Sequence, residues 1–328
     1  MKRALRITAF TFIVLLVIEL IIGVGIFAKE LAVDSREGHI IVDKNGNGNY
    51  KTIQEAVNNA QPGSTVFVKA GDYQEIIEIS KKIVLLGENK DSTLINPISE
   101  KNKYAVRLGA PGVILKGFSI KNGAPGLYSS GIRITSPEVE IYNCDIYETP
   151  VGIVIWTSNN IISNCRFWDC NDEGITLIGS SYSECNNNKI TNCVFYDNCD
   201  GVELQHSSEN TIDNCEFYDN THDGIDAIAS ENNNNIISNC RIYNNGVHGL
   251  YLSSSSDNQI IDCFISDNED GNIVENNYCN NNQIITNSYS EIEEKEIKVK
   301  NKFSSLFKII ENSKIGRIIT LIRSIVAF

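Results

Sequence analysis

The chain has 328 residues, a net charge of −13 at pH 7 and ten cysteines. Lysine and arginine gather near the two termini, so the body of the chain is acidic and should repel nucleic acid and other bare polyanions. This charge excludes nucleic acid as a partner and favours cations, basic partners or neutral glycans.

The N-terminal residues predict a targeting segment. Residues 1–6 are basic, and residues 7–28 are apolar except for Glu19. This pattern predicts a signal peptide or an uncleaved signal anchor over residues 1–28, and both interpretations remain open. In either case we expect an exported protein that is secreted or held at the cell surface by a membrane anchor. Residues 29–38 are predicted to be a linker.

A short helix is predicted soon after the first strand. Residues 39–50 form a strand that runs into a turn at Gly46 and Gly48, and the rest of a phosphate-loop pattern is missing. Thr52 to Glu55 is a capping box that starts a helix. Its apolar face consists of Ile53, Ala56, Val57 and Ala60. We expect this helix to cover the open end of the first coil, where strand edges would otherwise be exposed.

Short β-branched stretches from Val66 to Asn122 predict the first coil strands, and a regular repeat follows. The pattern Ile-x-x-Cys-x-Ile/Phe recurs at intervals of 21, 28, 22, 25 and 23 residues. Its cysteines are Cys144, Cys165, Cys193, Cys215, Cys240 and Cys263. Between them, a glycine followed by alternating apolar residues recurs with similar spacing, from Gly131 to Gly249. Because the spacings of the two patterns vary together along the chain, they indicate one structural unit repeated many times.

The repeat predicts an all-β fold, a right-handed parallel β-helix of about ten or eleven coils over residues 39–290. Stacking would align the six cysteines into an inward column. Because stacked positions are about 4.8 Å apart, these thiols are expected to stay unpaired. The other four cysteines (Cys170, Cys185, Cys199 and Cys279) lie off the column and their pairing is left open. A corner column of asparagines is predicted five residues before the cysteines: Asn160, Asn188, Asn210, Asn235 and Asn258, extended by Asn282. Asparagine tolerates left-handed backbone and can bond its stacked equivalents.

Residues 291–328 are predicted to form a charged linker followed by an amphipathic helix. Apolar residues from Phe303 to Val326 recur at roughly helical spacing, with basic residues between them. Two interpretations remain: a cap over the last coil, or a helix lying on a membrane surface.

Two stretches resemble known families. Residues 46–57 and 62–73 resemble the entry segment of pectin-lyase-like β-helix proteins, which include pectin methylesterases. The repeats after Gly131 are similar to NosD-like, carbohydrate-binding β-helix repeats of exported proteins. The stretch from His222 to Asp226 is similar to the Asp-Gly-Leu-Ile-Asp stretch of pectate lyases, one residue short. The signature motifs of pectin methylesterases and polygalacturonases are missing, so the resemblance implies fold and a carbohydrate ligand rather than one activity.

One candidate site emerges when the coils are aligned on their glycines. The residues before glycine are Glu173, Asp200, Asp223, His248 and Asp270, and those two after it are Thr176, Glu203, Asp226 and Tyr251. Stacked carboxylates repel each other, which raises a pKa or recruits a cation. We therefore select Asp200, Glu203, Asp223, Asp226 and His248 as candidate catalytic residues. Asp200, Asp223 and Asp226 are candidate ligands for Ca²⁺.

The predicted function is binding or organising a polysaccharide or cell-surface glycan, with no cofactor required unless the carboxylates hold Ca²⁺. The predicted membrane contact is through the N-terminal segment and, in one interpretation, the C-terminal helix. Two alternatives are kept. The chain is a polysaccharide lyase, C5-epimerase or glycoside hydrolase that uses the acidic residues, or it is a structural envelope or adhesion rod.

Overall fold

A computed structural model describes residues 39–97, 104–124, 126, 129–180, 183–228, 231–276 and 278–285. The predicted signal segment, the linker before residue 39, the charged run and the C-terminal helix lie outside these residues. Within them, no helix is long and apolar enough to cross a membrane.

The described chain winds through three parallel sheets, and each coil contributes one strand to each sheet in turn. Sheet 1 contains β1 (Ile40–Val42), β2 (Thr65–Val68), β5 (Val84–Gly87), β8 (Ile114–Lys116), β11 (Glu140–Tyr142), β14 (Ile161–Ser163), β17 (Lys189–Thr191), β20 (Thr211–Asp213), β23 (Ile236–Ser238), β26 (Gln259–Ile261) and β29 (Gln283–Ile285).

Sheet 2 contains β3 (Gly71–Tyr73), β6 (Thr93–Ile95), β9 (Ser119–Ile120), β12 (Asp145–Thr149), β15 (Arg166–Cys170), β18 (Val194–Tyr196), β21 (Glu216–Tyr218), β24 (Arg241–Tyr243) and β27 (Phe264–Ser266). Sheet 3 contains β4 (Ile77–Ile79), β7 (Tyr104–Leu108), β10 (Ser130–Ile134), β13 (Val151–Ile155), β16 (Glu173–Ile178), β19 (Asp200–Gln205), β22 (Ile225–Ile228), β25 (His248–Leu252) and β28 (Gly271–Glu275). The predicted parallel β-helix is confirmed, with about ten turns in the described part.

The core lies inside the coils because alternate residues of each short strand point inward. In the coil of β14, β15 and β16, the inward residues include Ile162, Cys165, Phe167, Ile175 and Leu177, all fully buried. Stacking repeats each position one coil later. The rings of Phe167 and Phe195 lie 4.8 Å apart and nearly parallel, and Phe217 continues the stack at 4.7 Å. Each coil therefore relies on its neighbours for most of its apolar contacts.

One helix, α1 (Ile53–Asn59), covers the N-terminal end, as predicted. It packs against β1, β2 and β4 and buries Ile53, Ala56 and Val57. The Thr52 hydroxyl accepts a hydrogen bond from the Glu55 N–H at 3.4 Å. The N–H groups of Ile53 and Gln54 donate to the carboxylate of Glu75, at 2.7 and 2.9 Å. The free N–H groups at the N-terminus of this helix thus find acceptors in a carboxylate from the next coil and in the hydroxyl of the helix's own capping residue.

The cysteine column is confirmed. All six column cysteines are at most 2% exposed, and all ten cysteines of the chain are free, including the four whose pairing was open. Each column thiol donates to the carbonyl two residues earlier, for example Cys165 to Ser163 at 3.3 Å and Cys193 to Thr191 at 3.3 Å. The thiols act as small buried side chains at the corner between sheets 1 and 2.

The asparagine column is also present, as a hydrogen-bonded ladder at the corner before sheet 1. The side-chain amide of Asn160 donates to the Oδ1 of Asn188 at 2.9 Å, and Asn188 donates to Asn210 at 3.1 Å. The left-handed residues lie one position earlier than expected, at Asn159, Asn187 and Asn234 among others, with φ between 56° and 65°. The ladder asparagines therefore stabilise the corner by bonding, while the preceding residue makes the turn.

A second ladder, which was not predicted from the sequence, lies at the corner between sheets 2 and 3. Asn198 donates to Asn220 at 3.0 Å, Asn220 to Asn245 at 2.9 Å and Asn245 to Asn268 at 2.8 Å. This ladder fixes the backbone immediately before the sheet 3 strands that carry the candidate site.

Candidate functional site

The candidate site lies on the outer face of sheet 3. The register pairs Glu173 with Asp200, Thr176 with Glu203, Glu203 with Asp226, and Asp226 with Tyr251. Three neighbouring strands, β16, β19 and β22, thus bring together residues that are more than twenty positions apart in sequence. We call Glu173, Asp200, Glu203, Asp223 and Asp226 the acidic cluster.

Glycine positions these side chains because the coils approach closely at this corner. A Cβ atom on Gly201 would lie 2.4 Å from the Gly224 carbonyl oxygen and 2.5 Å from the Phe217 ring. Only glycine fits this position without displacing backbone. The residue before the glycine is thereby held at the corner, and the residue two after it points outward.

One residue of the predicted alignment is wrong. The register pairs His248 with Gly271, so Asp270 lies opposite Val247 rather than His248. In the last coil, Gly271 takes the position that the residue before glycine takes in the earlier coils. Asp270 therefore does not stack on the residues that precede glycine in those coils. His206 is exposed at a left-handed corner and belongs to neither of the metal-capable groups described below. His222 does belong to one of them.

Hydrogen bonds link the cluster from one coil to the next. Asp200 Oδ1 accepts the Asp223 N–H at 2.7 Å and lies 2.8 Å from Nδ1 of His222. In the same way, Asp223 Oδ1 accepts the His248 N–H at 2.7 Å and lies 3.0 Å from Nδ1 of His248. Each aspartate thus orients a histidine of the following coil.

The carboxylates are buried rather than solvated. Asp223 is 1% exposed and Asp226 is 5% exposed. Among described groups, Asp223 Oδ2 and Asp226 Oδ1 are buried oxygens that receive no hydrogen bond. A buried carboxylate oxygen that accepts no hydrogen bond is costly. Asp223 Oδ2 lies 3.6 Å from His222 Nδ1, and both oxygens are therefore candidate ligands for a cation.

Burial and mutual repulsion raise several pKa values in the cluster. Burial, with the charges of Asp200, Asp223 and Glu203, raises the pKa of Asp226 to about 8. Burial and the nearby charge of Glu203 raise the pKa of Glu173 to about 9. Burial also raises the pKa values of Asp200 and Glu203. The cluster therefore favours states in which its charge is neutralised.

Two overlapping groups have the geometry to hold a metal ion. In each group, one ligand atom per residue lies within 4.8 Å of all the others. The first consists of Asp200, His222, Asp223 and Asp226, and the second of Glu173, Asp200 and Glu203. Glu173 and His222 were not selected from the sequence as site residues, although Glu173 stood in the aligned row before glycine and His222 lay one residue from Asp223.

The rim of the site is formed by His222, His248 and Tyr251. The side chain of His222 is 45% exposed and that of His248 is 18% exposed. The rings of His248 and Tyr251 stack with centroids 5.0 Å apart, and the Tyr251 hydroxyl accepts from the Asn276 amide at 3.1 Å. Burial alone would lower the pKa of His222, but the hydrogen bond to Asp200 and the surrounding carboxylates outweigh it and raise that pKa.

A row of aromatic side chains on the outer face of sheet 2 is less suited to ligands. Tyr147, Trp168, Tyr196, Tyr218 and Tyr243 stack face to face, with centroids 4.3 to 5.8 Å apart. Because the ring faces contact one another, they are not available to stack on a sugar. We interpret this row as a structural ladder.

Comparison with known proteins bears on the fold. The model of the family described as "Pel9A-like, right handed beta helix region" matches residues 42–250. This match agrees with the predicted right-handed winding.

Two solved structures share the fold at low sequence identity. A rhamnogalacturonan lyase aligns with a TM-score of 0.57 and 14% identity, covering 76% of this chain and 87% of that one. The pectate lyase Pel9A aligns with a TM-score of 0.53 and 14% identity, covering 78% of both chains.

Curated relatives match over short stretches. A pectinesterase/pectinesterase inhibitor 18 of Arabidopsis thaliana is 41% identical over 64 residues, which is 17% of this chain and 12% of the relative. A probable pectinesterase 55 of the same plant is 37% identical over 70 residues, which is 19% of this chain and 21% of the relative. The chain thus spans about a fifth or less of the length of these relatives.

Proposed function

Since the chain belongs to the family of Pel9A-like right-handed β-helix regions, we propose that it binds an acidic polysaccharide on the outer face of sheet 3. The binding depends on a divalent cation held by the acidic cluster. The cation bridges the aspartates and a uronate carboxylate of the ligand. We further propose that the protein is exported, as the basic and then apolar pattern of residues 1–28 predicts.

The observation that carries this proposal is the pair of buried oxygens without a hydrogen bond, Asp223 Oδ2 and Asp226 Oδ1. They belong to one group with Asp200 and His222. Three carboxylates supply up to six oxygen atoms, and Ca²⁺ takes six to eight oxygen ligands at about 2.3–2.6 Å. Ligand carboxylate and water would complete the coordination. Ca²⁺ fits this set better than a transition metal, because three of its four residues offer carboxylate oxygens and only one offers an imidazole.

The cation also explains how an acidic protein could bind an acidic polymer. The net charge of −13 should repel a bare uronate polymer. A bound divalent ion neutralises much of the cluster's negative charge and offers coordination positions to a carboxylate, so binding of a polyanion to an acidic protein becomes dependent on that ion.

Isothermal titration calorimetry tests the cation site. The parent protein, stripped with chelator, should bind Ca²⁺, whereas Asp226→Asn and Asp223→Asn should bind it at least about tenfold more weakly because each loses a charged ligand. Asp219→Asn is the matched control, since Asp219 is an exposed carboxylate at a left-handed corner that asparagine also tolerates. Parent protein that binds no Ca²⁺, or variants with unchanged isotherms, would refute the cation-dependent mechanism.

A second candidate function is proton abstraction next to a uronate carboxylate, as a lyase or an epimerase requires. The observation that favours it is the contact between His248 Nδ1 and Asp223 Oδ1 at 3.0 Å, in a partly exposed imidazole beside Tyr251. A carboxylate that orients an imidazole prepares its other nitrogen to accept a proton.

Incubation with oligouronates and Ca²⁺ distinguishes this activity from binding alone. A lyase would produce unsaturated ends that absorb ultraviolet light, and an epimerase would exchange a ring proton with deuterated solvent. His248→Gln should remove either signal while oligouronate binding persists. Oligouronate binding without any product would show that the protein binds the polysaccharide but does not act on it. Absence of oligouronate binding would favour a structural rod.

A further inference from the structure

We infer that residues 303–328 of this chain pack over the C-terminal end of the coils and close the core there, as α1 closes it at the N-terminal end. The surface that receives them lies on β27, β28 and β29, the last described strands of the three sheets. We call this surface the end face, and its side chains include Ile265, Ile273, Glu275, Cys279 and Ile284. The inference is independent of the proposed polysaccharide and of its cation.

The end face exposes positions that belong to the core in the preceding coil. Ile284 pairs with Ile260, and Ile273 pairs with Leu250. Ile260 and Leu250 are fully buried, whereas Ile284 is 42% exposed and Ile273 is partly exposed. Cys279 also packs against the core while remaining partly exposed. Inward side chains of the last coil therefore lie where the described part of the chain supplies no further coil to cover them.

Strand edges end at the same surface. Within the described residues, β28 and β29 each pair with a strand on one side, β25 and β26 respectively. An edge beside apolar side chains is a site for pairing with other chains, and proteins cover such edges with a helix or a loop. At the N-terminal end, α1 is such a cover, and it buries Ile53, Ala56 and Val57. We expect the C-terminal end to have a cover that is apolar in the same way.

One carboxylate on the end face indicates that the cover is also basic. Glu275 pairs with Leu252, in a row where earlier coils place buried apolar side chains: Ala227, Leu204, Leu177 and Ile155. Glu275 is exposed, and it accepts a hydrogen bond from the Asn282 amide at 2.6 Å. An apolar coil stacked on it would bury this carboxylate at a cost, whereas a lysine or an arginine would pair with it. A second copy of the end face would bring carboxylate against carboxylate.

Residues 303–328 have the composition that this surface requires. The last coil, residues 264–285, has four carboxylates and no lysine or arginine. Residues 303–328 contain one acidic residue, Glu311, and four basic ones: Lys308, Lys314, Arg317 and Arg323. Apolar residues recur between them at roughly helical spacing. Opposite charge and apolar periodicity thus both favour this segment as the occupant.

The connection to the segment is long enough to reach the end face. Residues 286–302 join the last described strand to residue 303. An extended chain spans about 3.3 Å per residue, so this stretch reaches up to roughly 56 Å, and sheets pack about 10 Å apart. Because the segment is tethered beside the end face, its effective concentration there is high. It therefore covers the end of its own chain in preference to that of another copy.

Hydrogen–deuterium exchange of the full chain, read by mass spectrometry, tests this inference. Ile322→Glu introduces a charge among the apolar residues of the segment. Ser324→Glu is the matched control, because two positions along a helix lie on nearly opposite sides. Circular dichroism spectra confirm that both variants fold. In the parent, zero-length cross-linking with a carbodiimide gives a second readout that needs no variant.

We expect the amides of β28 and β29 to exchange slowly in the parent. Ile322→Glu should accelerate their exchange by at least about tenfold, because local opening governs exchange, and should speed the reaction of Cys279 with a thiol reagent. Ser324→Glu should match the parent in both measurements. Amides of β16 and β19, several coils from the end face, should exchange alike in all three proteins. Cross-links should join Lys308 or Lys314 to a carboxylate of residues 264–285.

Four results would overturn the inference. In the first, β28 and β29 exchange as fast in the parent as in Ile322→Glu. In the second, residues 303–328 are protected only with vesicles of phosphatidylcholine and phosphatidylglycerol while the last coil exchanges fast throughout, which would place the segment on a membrane. In the third, protection of the last coil rises with protein concentration and persists in both variants, which would identify a second copy as the cover. In the fourth, Ser324→Glu and Ile322→Glu have equal effects, which would show a non-specific effect of added charge.

Discussion

Individual charged residues in this protein depend on the coils above and below them. Asp145 shows this outside the candidate site. It is 3% exposed, and it accepts hydrogen bonds from Lys90 Nζ and Arg166 Nε, both at 2.8 Å. These donors come from other coils, 55 and 21 residues away in sequence. The aspartate therefore fixes three coils together.

Replacing Asp145 with asparagine should destabilise the protein at pH 7 by about 1–3 kcal/mol. The buried carboxylate loses its charge-assisted hydrogen bonds, while Arg166, whose side chain is 44% exposed, remains solvated. Burial alone would raise the pKa of Asp145, but the hydrogen bonds from Arg166 and Lys90 outweigh it and lower that pKa. The stabilisation is thus complete above the ordinary value of 3.8 and is lost as the pH falls through the lower folded value. Urea denaturation at several pH values should show the difference between parent and variant shrinking in acid. A difference that is independent of pH would contradict this account.

At the scale of elements, the asparagine ladders supply hydrogen bonds between coils whose strands are too short to be stable alone. Many strands of sheets 1 and 2 contain only three residues, too few for independent stability. Asn210 accepts from the Asn188 N–H at 2.9 Å and donates to Asn235 at 3.2 Å and to the Cys185 carbonyl at 3.2 Å. One side chain thus satisfies backbone and side-chain groups of three coils.

Asn210→Ala should therefore cost about 2–4 kcal/mol, since it leaves two or more buried polar groups without partners. Asn171→Ala serves as the control because Asn171 is exposed, and it should change stability by less than about 0.5 kcal/mol. The two variants are compared by their midpoints of chemical denaturation. Similar midpoints would show that the ladder does not stabilise the corner.

Part of this element-level organisation was predictable from sequence. The cysteine column and the first ladder follow from the spacing of Asn160, Asn188 and their equivalents, because parallel stacking puts like positions together. The second ladder had an equally regular signal, since Asn198, Asn220, Asn245 and Asn268 each lie five residues after a column cysteine. The left-handed positions were misplaced by one residue because asparagine occupies both the turn and the ladder.

At the scale of the whole molecule, one repeat determines both the core and the site. The repeat brought Asp200, Glu203, Asp223 and Asp226 to one face correctly. The position of Asp270 was wrong because the final coil shifts by one residue relative to its glycine. The burial of the carboxylates and the contact of His222 with Asp200 could not be predicted, since they depend on side-chain packing rather than on register.

The continuous core also makes a prediction about the thiols. Eight cysteines are buried, and Cys199 and Cys279 are partly exposed. A thiol reagent applied to the folded protein should react readily with no more than these two, and unfolding should release all ten. Electrophoresis with and without reductant should show one mobility. Fast reaction of the column thiols would mean that the coils open, and a mobility change would mean that disulfides form.

The central claim is that Asp200, Asp223 and Asp226 hold a divalent cation on the outer face of sheet 3. An anomalous difference map from crystals grown with Ca²⁺ and measured at long wavelength tests it most directly. The account predicts a peak within coordinating distance of Asp223 Oδ2 and Asp226 Oδ1, about 2.3–2.6 Å from each. Crystals in which these oxygens face water or a protonated neighbour, with the anomalous signal elsewhere or missing, would contradict it.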